Sequence, residues 1–298
     1  MRAPDPNAQK GELILYTGPM NSGKTETLVK HAKNLEKHAG QKIMAFSIIE
    51  NTRDGENQII GENGERIPAT GVSLENPEDI LQHVEEEDKK GYVNIILLDE
   101  VSFHEHKIIK VINYFRAENR LIMAAGLDKS FRGEPLKYIQ NLKEMVNPQS
   151  LAETTFNSYC KVIKNGKQCR NTATHTLRLY KQSKQKVQFL DKEGQLITGF
   201  GYAPYFDKLV LFEKKEISER QYTAACPDCF KIPYKDETID AYNELIKGRS
   251  SSEIKVTHLD EIVNMLVEEN KIYEVEKNIY APREYIQDIE TGVYIPKK

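Results

Sequence analysis

Gly18-Pro19-Met20-Asn21-Ser22-Gly23-Lys24-Thr25 reads G-x-x-x-x-G-K-T, the spacing of a phosphate-binding loop. Glycines let the backbone curl so that several N–H groups face phosphate oxygens, and a helix N-terminus behind the loop adds positive potential. Lys24 can reach the β- and γ-phosphates of a nucleoside triphosphate, and the Thr25 hydroxyl can ligate Mg²⁺. A second acidic motif, Asp99-Glu100, closes an apolar run. A carboxylate there can hold Mg²⁺ opposite the loop, directly or through water, which is the role expected of Asp99. Glu100 then faces the γ-phosphate, where a nucleophile must lose a proton. A kinase positions a substrate hydroxyl at that point and an ATPase positions water; the two motifs alone do not choose between them.

The cysteines carry a different chemistry. Cys226-Pro227-Asp228-Cys229 is a C-x-x-C pair, and Cys160 and Cys169 form a second pair closed by a loop containing Asn165-Gly166. Four thiolates in two local pairs suit a tetrahedral Zn²⁺, and a Cys₄ site is structural because no position stays open for substrate. The competing reading is a redox C-x-x-C, which needs an accessible thiol of low pKa and leaves Cys160 and Cys169 unexplained. His104-Glu105-His106 also invites a metal reading, but histidines at i, i+2 do not share a helix face. A solvent-facing cap before the next helix is expected there.

These residues need a scaffold. Residues 12–16 form a short apolar strand, and Leu28, Ala32 and Leu35 fall on one face of a helix that should stop near Gly40. Residues 42–49 read as a second strand, and residues 51–69, rich in Gly, Asn and Glu, as a loop or hairpin. Asn76 as N-cap and Pro77 at the first turn open a helix that turns Ile80, Leu81 and Val84 inward. Its run Glu85-Glu86-Glu87-Asp88 is expected to be a solvated face. Residues 92–98 form a strand, a helix buries Ile108, Ile109, Ile112 and Phe115, and residues 121–125 form a strand running into Gly126-Leu127-Asp128. The alternation implies an α/β fold, a P-loop (RecA-like), mostly parallel sheet covered by helices. Ligands of such sheets sit beyond the carboxyl ends of the strands, where all three motifs fall.

After about residue 150 the pattern changes to cysteines, turns and short alternating stretches. Leu259, Ile262, Val263 and Leu266 then mark an amphipathic helix, followed by hairpin strands near 273–280 and 290–295. The polar stretch Lys247-Gly248-Arg249-Ser250-Ser251-Ser252 reads as a linker. The composition of the 298 residues, 39% hydrophobic and 29% charged, is that of a soluble globular protein. A net charge of −3 gives no general pull toward nucleic acid, no apolar run approaches a membrane span, and residues 1–10 read as a disordered arm rather than a signal peptide. Clustered cysteines suggest a metal in a reducing compartment, so a cytoplasmic location is expected.

Together the motifs resemble the type II thymidine kinases, the cellular, poxviral and bacterial enzymes. Residues 18–25 are similar to their G-P-M-x-S-G-K-T loop, and Asp99-Glu100 with Phe103 to their D-E-x-Q-F strand end. Residues 126–135, including Leu127, Asp128, Phe131, Arg132, Gly133, Glu134 and Pro135, resemble their L-D-x-x-F-R-G-E-P segment. His175-Thr176-Leu177-Arg178 looks like Y-T-x-R, and Tyr222 like the tyrosine before the second cysteine pair. The resemblance covers about residues 11–230. It implies a P-loop domain over residues 11–150 and a zinc-binding lasso domain over 151–230, with an insertion near 181–217. Residues 231–298 are left as an α+β C-terminal extension. ATP and Mg²⁺ would drive phosphate transfer to the 5′-hydroxyl of a deoxynucleoside, thymidine first, with Glu100 as base. The resemblance also implies that Met20, Phe103, Leu127, Phe131 and Thr176 line the base pocket, that Tyr222 sits against the nucleoside, that Arg53 contacts phosphate, and that the protein is a homo-oligomer, by family habit a tetramer.

The departures set further expectations. Ser102 stands where the family has Gln, Leu136 replaces a pocket Phe, His175 replaces Tyr, and the Gly-Gly segment before Tyr222 is missing. Base selection is therefore expected to be looser than the family norm. Residues 231–298 carry none of the motifs and are expected to be dispensable for phosphoryl transfer. Two alternatives stay open: a P-loop ATPase acting on nucleic acid, with Phe131 and Arg132 stacking on bases, and a module that holds nucleotide without turnover.

Overall fold

The computed structural model describes residues 11–49, 57–61, 63–104, 106–146, 153–191, 193–209, 219–283, 285–287 and 294–296. Chain order opens with β1 (Leu13–Thr17), α1 (Lys24–Ala39), β2 (Ile43–Ile48), a hairpin of β3 (Gln58–Ile60) and β4 (Arg66–Pro68), and β5 (Thr70–Val72). α2 (Asp79–Asp88), β6 (Ile95–Leu98), a 3₁₀ turn over Val101–Phe103, α3 (Lys107–Ala117), β7 (Leu121–Gly126), α4 (Lys137–Met145) and β8 (Glu153–Thr155) follow. Six strands make one sheet in the order β5-β2-β6-β7-β1-β8, and every neighbouring pair is parallel. The α/β fold expected from the sequence is thus present. β1 and β6 flank β7, so the turns that follow all three open side by side at one edge of the sheet.

Burial explains why these segments are strands and helices. β1 and β6 are buried at every position, as strands covered on both faces must be. Ile108, Ile109, Ile112 and Phe115 of α3 are all buried, each worth about 1.5–3 kcal/mol of transfer free energy. Gly40 closes α1 at φ 60°, the left-handed stop expected of it.

Three local expectations are corrected. The strand read at 92–98 starts only at Ile95, and Tyr92 is half exposed. Asp88 pulls the preceding turn away from the sheet: it accepts the Val93 N–H at 2.7 Å and pairs with Arg120 at 2.6 Å, while that guanidinium sits 4.4 Å from the Tyr92 ring. The acidic run of α2 is therefore not merely solvated. Glu87 also pairs with Lys42 at 2.8 Å, and Arg120 holds the Asp88 carboxyl below the usual carboxylate range. Finally, α2 begins at Asp79; Asn76 accepts the Asp79 N–H through its backbone oxygen at 3.2 Å, so the chain enters the helix through a tight turn and not a side-chain cap at Asn76.

Beyond β8 the architecture becomes antiparallel. β9 (Ser158–Tyr159) pairs with β12 (Thr172–Ala173), and β10 (Ile163–Lys164) with β11 (Lys167–Gln168) around an Asn165-Gly166 turn whose φ angles are 51° and 74°. Two left-handed residues in succession are what Asn-Gly accommodates best. β13 (His175–Tyr180), β14 (Lys186–Leu190), β15 (Leu196–Tyr202) and β16 (Arg220–Ala225) form a sheet in the order β14-β15-β13-β16. The described part of the 181–217 insertion thus supplies two strands. A second hydrophobic cluster, including Leu177, Leu179, Phe189, Ala224 and the cysteines, fills this layer.

A third cluster belongs to the C-terminal residues. α5 (Lys235–Leu245) and α6 (Leu259–Glu268) pack together through Ala241, Leu245, Ile262 and Leu266, and Tyr205 from the antiparallel layer joins them. The stretch read as a linker simply joins these two packed helices. α5 is absent from the sequence expectations because its buried side offers only Thr238, Ala241 and Leu245. Two hairpins complete the described chain, β17 (Ile272–Glu276) with β18 (Ile279–Pro282) and β19 (Tyr285–Gln287) with β20 (Tyr294–Pro296). Among the described residues no helix is long and apolar enough to cross a membrane.

Candidate active site

The loop after β1 has the backbone that phosphate binding needs. Gly18 adopts φ 142°, and a Cβ there would lie 2.4 Å from the Phe156 carbonyl oxygen, so only glycine fits. Asn21 at φ 55° and Gly23 at φ 81° complete the curl, with Gly23 as N-cap of α1. The Ser22 hydroxyl donates to the Pro19 oxygen at 2.8 Å, and the Ser158 hydroxyl donates to the Asn21 oxygen at 2.7 Å. Lys24 is buried at the head of α1 and donates to the Pro19 oxygen at 2.7 Å.

Asp99 and Glu100 stand opposite. The Thr25 hydroxyl donates to the Asp99 carboxylate, 3.2 Å from Oδ1, so both candidate Mg²⁺ ligands meet in one place. Burial, with the neighbouring Glu100 charge, pushes the Asp99 carboxyl up to about 7, opposed by its hydrogen bonds and Lys24. A carboxylate so placed gains from a cation beside it. Thr25 and Asp99 therefore fit a Mg²⁺ ion. Glu100 sits at φ 53°, ψ 32°, an uncommon conformation for a residue with a side chain. Such outliers cluster at functional sites, and this one ends β6 where the chain must turn sharply.

The residues expected to hold a nucleoside approach from the antiparallel layer. Thr176 of β13 is buried and accepts the Met20 N–H through its hydroxyl at 3.0 Å, tying that strand to the P-loop. Tyr222 of β16 is in register with Arg178 of β13, and the Arg178 guanidinium lies 3.8 Å from the Phe131 ring centroid and 5.2 Å from that of Tyr222. Phe131 is buried beneath it, while Phe103 and Leu127 are half-buried. Ser102 accepts the Leu127 N–H through its hydroxyl at 3.1 Å, fixing the turn after β7. Gly133, at φ 76°, lies so close to Phe230 that a Cβ would meet its ring at 2.9 Å, and Phe230 stacks on His175 at 4.3 Å.

The four cysteines converge. The Sγ atoms of Cys160, Cys169, Cys226 and Cys229 all lie within 4.8 Å of one another, and Cys169 and Cys226 are 3.8 Å apart without a disulfide. Tetrahedral zinc with Zn–S about 2.3 Å places its sulfurs roughly 3.8 Å apart, so the cluster fits that ion. Burial pushes the Cys160 and Cys229 thiols up, while hydrogen bonding at the Asn171 backbone pulls Cys169 down; a cation between them would favour the thiolate forms.

Comparison with known proteins matches this arrangement. A thymidine kinase family model matches residues 11–230. The chain belongs to the thymidine kinase family. Its relatives include the thymidine kinase of Ureaplasma urealyticum, 29% identical over 75% of this chain and 84% of that protein. That of Mycoplasma capricolum is 27% identical over 76% and 91%, and that of Ureaplasma parvum 28% over 80% and 90%. Family membership makes this chain a kinase and resolves the choice between a hydroxyl and water that the two motifs left open.

Arg53 lies outside the described residues. His104 is not solvent-facing: it is 2% exposed, burial pushes its imidazole down to about 4, and its Nδ1 has no hydrogen-bond partner among the described residues. The apolar floor around the 3₁₀ turn absorbs it, which a polar-looking sequence triplet does not reveal. Arg132 is 2% exposed and held by Glu269, so it is not available to stack on nucleic-acid bases. A cavity of about 550 Å³ does exist, but it lies between Tyr180, Tyr202 and Arg220 on one side and Tyr234, His258 and Met265 on the other, and no expected site residue lines it. Arg178 stands in the quoted motif with no expected role, and nothing in the sequence signals Asp207 or Glu269, which pair with the buried arginines.

Proposed function

We propose that this kinase transfers the γ-phosphate of ATP to the 5′-hydroxyl of thymidine or a related pyrimidine deoxynucleoside. The observation that carries the reading is the meeting of the P-loop, the Thr25–Asp99 contact and the strained Glu100 at one edge of the parallel sheet, with Thr176 tied to Met20 across from them. Lys24 and the loop N–H groups bind the triphosphate and oppose charge growing on its oxygens. Thr25 and Asp99 would hold Mg²⁺, which supplies further charge neutralisation when bound. Glu100 accepts the proton of the 5′-hydroxyl as it attacks. Met20, Phe103, Leu127, Phe131 and Thr176 surround the base, and Tyr222 packs against the nucleoside.

The chain is read as three units: a P-loop domain over 11–150, a zinc-held lasso over 151–230 and a C-terminal extension over 231–298. Cys160, Cys169, Cys226 and Cys229 hold Zn²⁺ as a structural clip. A homotetramer working in the cytoplasm follows from the family resemblance. The burial of Arg132 in its pair with Glu269 disfavours an ATPase that stacks it on nucleic-acid bases.

Base preference follows from the pocket. Apolar contacts discriminate weakly, one methylene being worth about 1–3 kcal/mol, and strict selection needs polar groups that a wrong base leaves unpaired. Thymidine and deoxyuridines altered at C5 should be phosphorylated, and purine deoxynucleosides poorly. A panel of nucleosides with ATP and Mg²⁺ tests this; kcat/KM for deoxyguanosine or deoxyadenosine above that for thymidine would overturn the base assignment.

A further inference from the structure

The C-terminal residues reach the nucleoside side of the site through an ion pair between Glu269 and Arg132. Glu269, just after α6, holds Arg132 in a fork, with Oε1 2.6 Å from Nη2 and Oε2 2.8 Å from Nη1. The Arg132 side chain is 0% exposed and that of Glu269 15%. The same Nη2 donates to the Asp207 carbonyl oxygen at 2.8 Å. The Asp207 carboxylate in turn accepts from Arg220 at 2.9 and 2.7 Å and from Arg178 at 3.4 Å. Arg178 also donates to the carbonyls of Lys208 and Leu209, and its guanidinium covers the Phe131 ring. Tyr205 supports the same corner: its ring lies 4.8 Å from the Arg132 guanidinium and its hydroxyl donates to Glu134.

Three arginines are thus gathered around two carboxylates, Asp207 and Glu269; the carbonyls of Asp207, Lys208 and Leu209 accept further Nη donors, while the Nε atoms of Arg132 and Arg178 are buried without a hydrogen-bond partner among the described residues. Arg220 and Arg178 already share Asp207, so Arg132 depends on Glu269 for its countercharge. A buried guanidinium that loses its carboxylate is not tolerated in place, and the nearest groups must move to solvate or re-pair it. Those groups are Asp207, which anchors Arg178, and the loop that carries Phe131 next to Arg132.

We infer that Glu269 is a positioning residue for the nucleoside pocket, holding Phe131 and Tyr222 in place through Arg132, Asp207 and Arg178. This rests on the reading of Phe131 and Tyr222 as nucleoside contacts. It gives the C-terminal residues a part in substrate recognition, although no motif lies in them. The hydrogen bonds of the network run among the 128–136 loop, β13, β16 and the 203–209 segment, and β13 meets the P-loop through the Thr176–Met20 bond, so their loss falls first on the nucleoside and far less on ATP.

The test uses full-length, zinc-loaded protein with Glu269→Gln and Glu269→Asp. For Glu269→Gln the KM for thymidine should rise about ten-fold while the KM for ATP stays within about two-fold, the split expected when one substrate's binding surface is disturbed. Amide exchange should quicken in residues 175–180 and 220–225, with Met20 following because Thr176 of β13 holds its N–H, and hold steady in 21–25. Glu269→Asp keeps the charge and should fall nearer to wild type; if Glu269→Gln does not fold, the same split must appear in Glu269→Asp. An equal rise in both KM values, or an unchanged thymidine KM with unchanged exchange, overturns the inference. Should the wild-type protein phosphorylate no nucleoside, the functional reading fails, and the exchange data alone decide whether Glu269 positions those strands.

Discussion

Glu100 and Lys24 carry different burdens, and single substitutions should separate them. Glu100→Gln keeps the shape and removes the proton acceptor, so kcat should fall about 10²–10⁴-fold with ATP binding nearly intact. Retention of more than half the wild-type kcat would remove Glu100 from the mechanism. Lys24→Ala should weaken nucleotide binding as well, measured by calorimetry with ATP. His104 gives a stability test of another kind. Its folded-state pKa, about 4, lies below the ordinary value of 6.5, so the unfolded chain takes up a proton first as pH falls. The stability contributed by neutral His104 is full above pH 6.5 and is lost as pH falls toward 4, by at most about 3 kcal/mol. His104→Asn, compared with wild type by denaturant unfolding at pH 7 and pH 4.5, should show a smaller loss on acidification.

The elements show where sequence is legible and where it is not. β1, α1, α3, β7 and α6 follow apolar periodicity directly, because each buries a full stripe or face. The phosphate loop and the four cysteines were equally readable, since their chemistry needs fixed residue types at fixed spacing. What stayed hidden depends on partners distant in sequence: Asp88 pulling Tyr92 out of β6 through Arg120, and α5 burying only small side chains. The zinc clip belongs to this scale. One Zn²⁺ per chain is expected by metal analysis, and Cys226→Ser should lower stability and damage nucleoside binding more than ATP binding. Absence of zinc together with unchanged Cys226→Ser stability would leave the cluster without that role.

At the scale of the molecule, buried polar links among the described residues join the hydrophobic clusters, the Arg132–Glu269 pair being one that reaches the C-terminal helices. The expectation that residues 231–298 are dispensable does not agree with them. A chain ending after Phe230 loses Glu269, leaves Arg132 buried without its carboxylate, and exposes Tyr205, which packs against α5 and α6. Removing one partner of a buried pair costs about 3–5 kcal/mol, so the truncated protein should melt several degrees lower or lose solubility, and any folded fraction should bind thymidine poorly. A soluble truncated protein with wild-type thymidine KM would restore dispensability. The central claim, phosphate transfer to a nucleoside hydroxyl, is tested most directly by following the γ-phosphate itself. Wild-type protein is incubated with γ-labelled ATP, Mg²⁺ and thymidine, and the products are separated. The expected result is label on the 5′-oxygen of thymidine. Label appearing only as inorganic phosphate, whether or not thymidine is present, would contradict it.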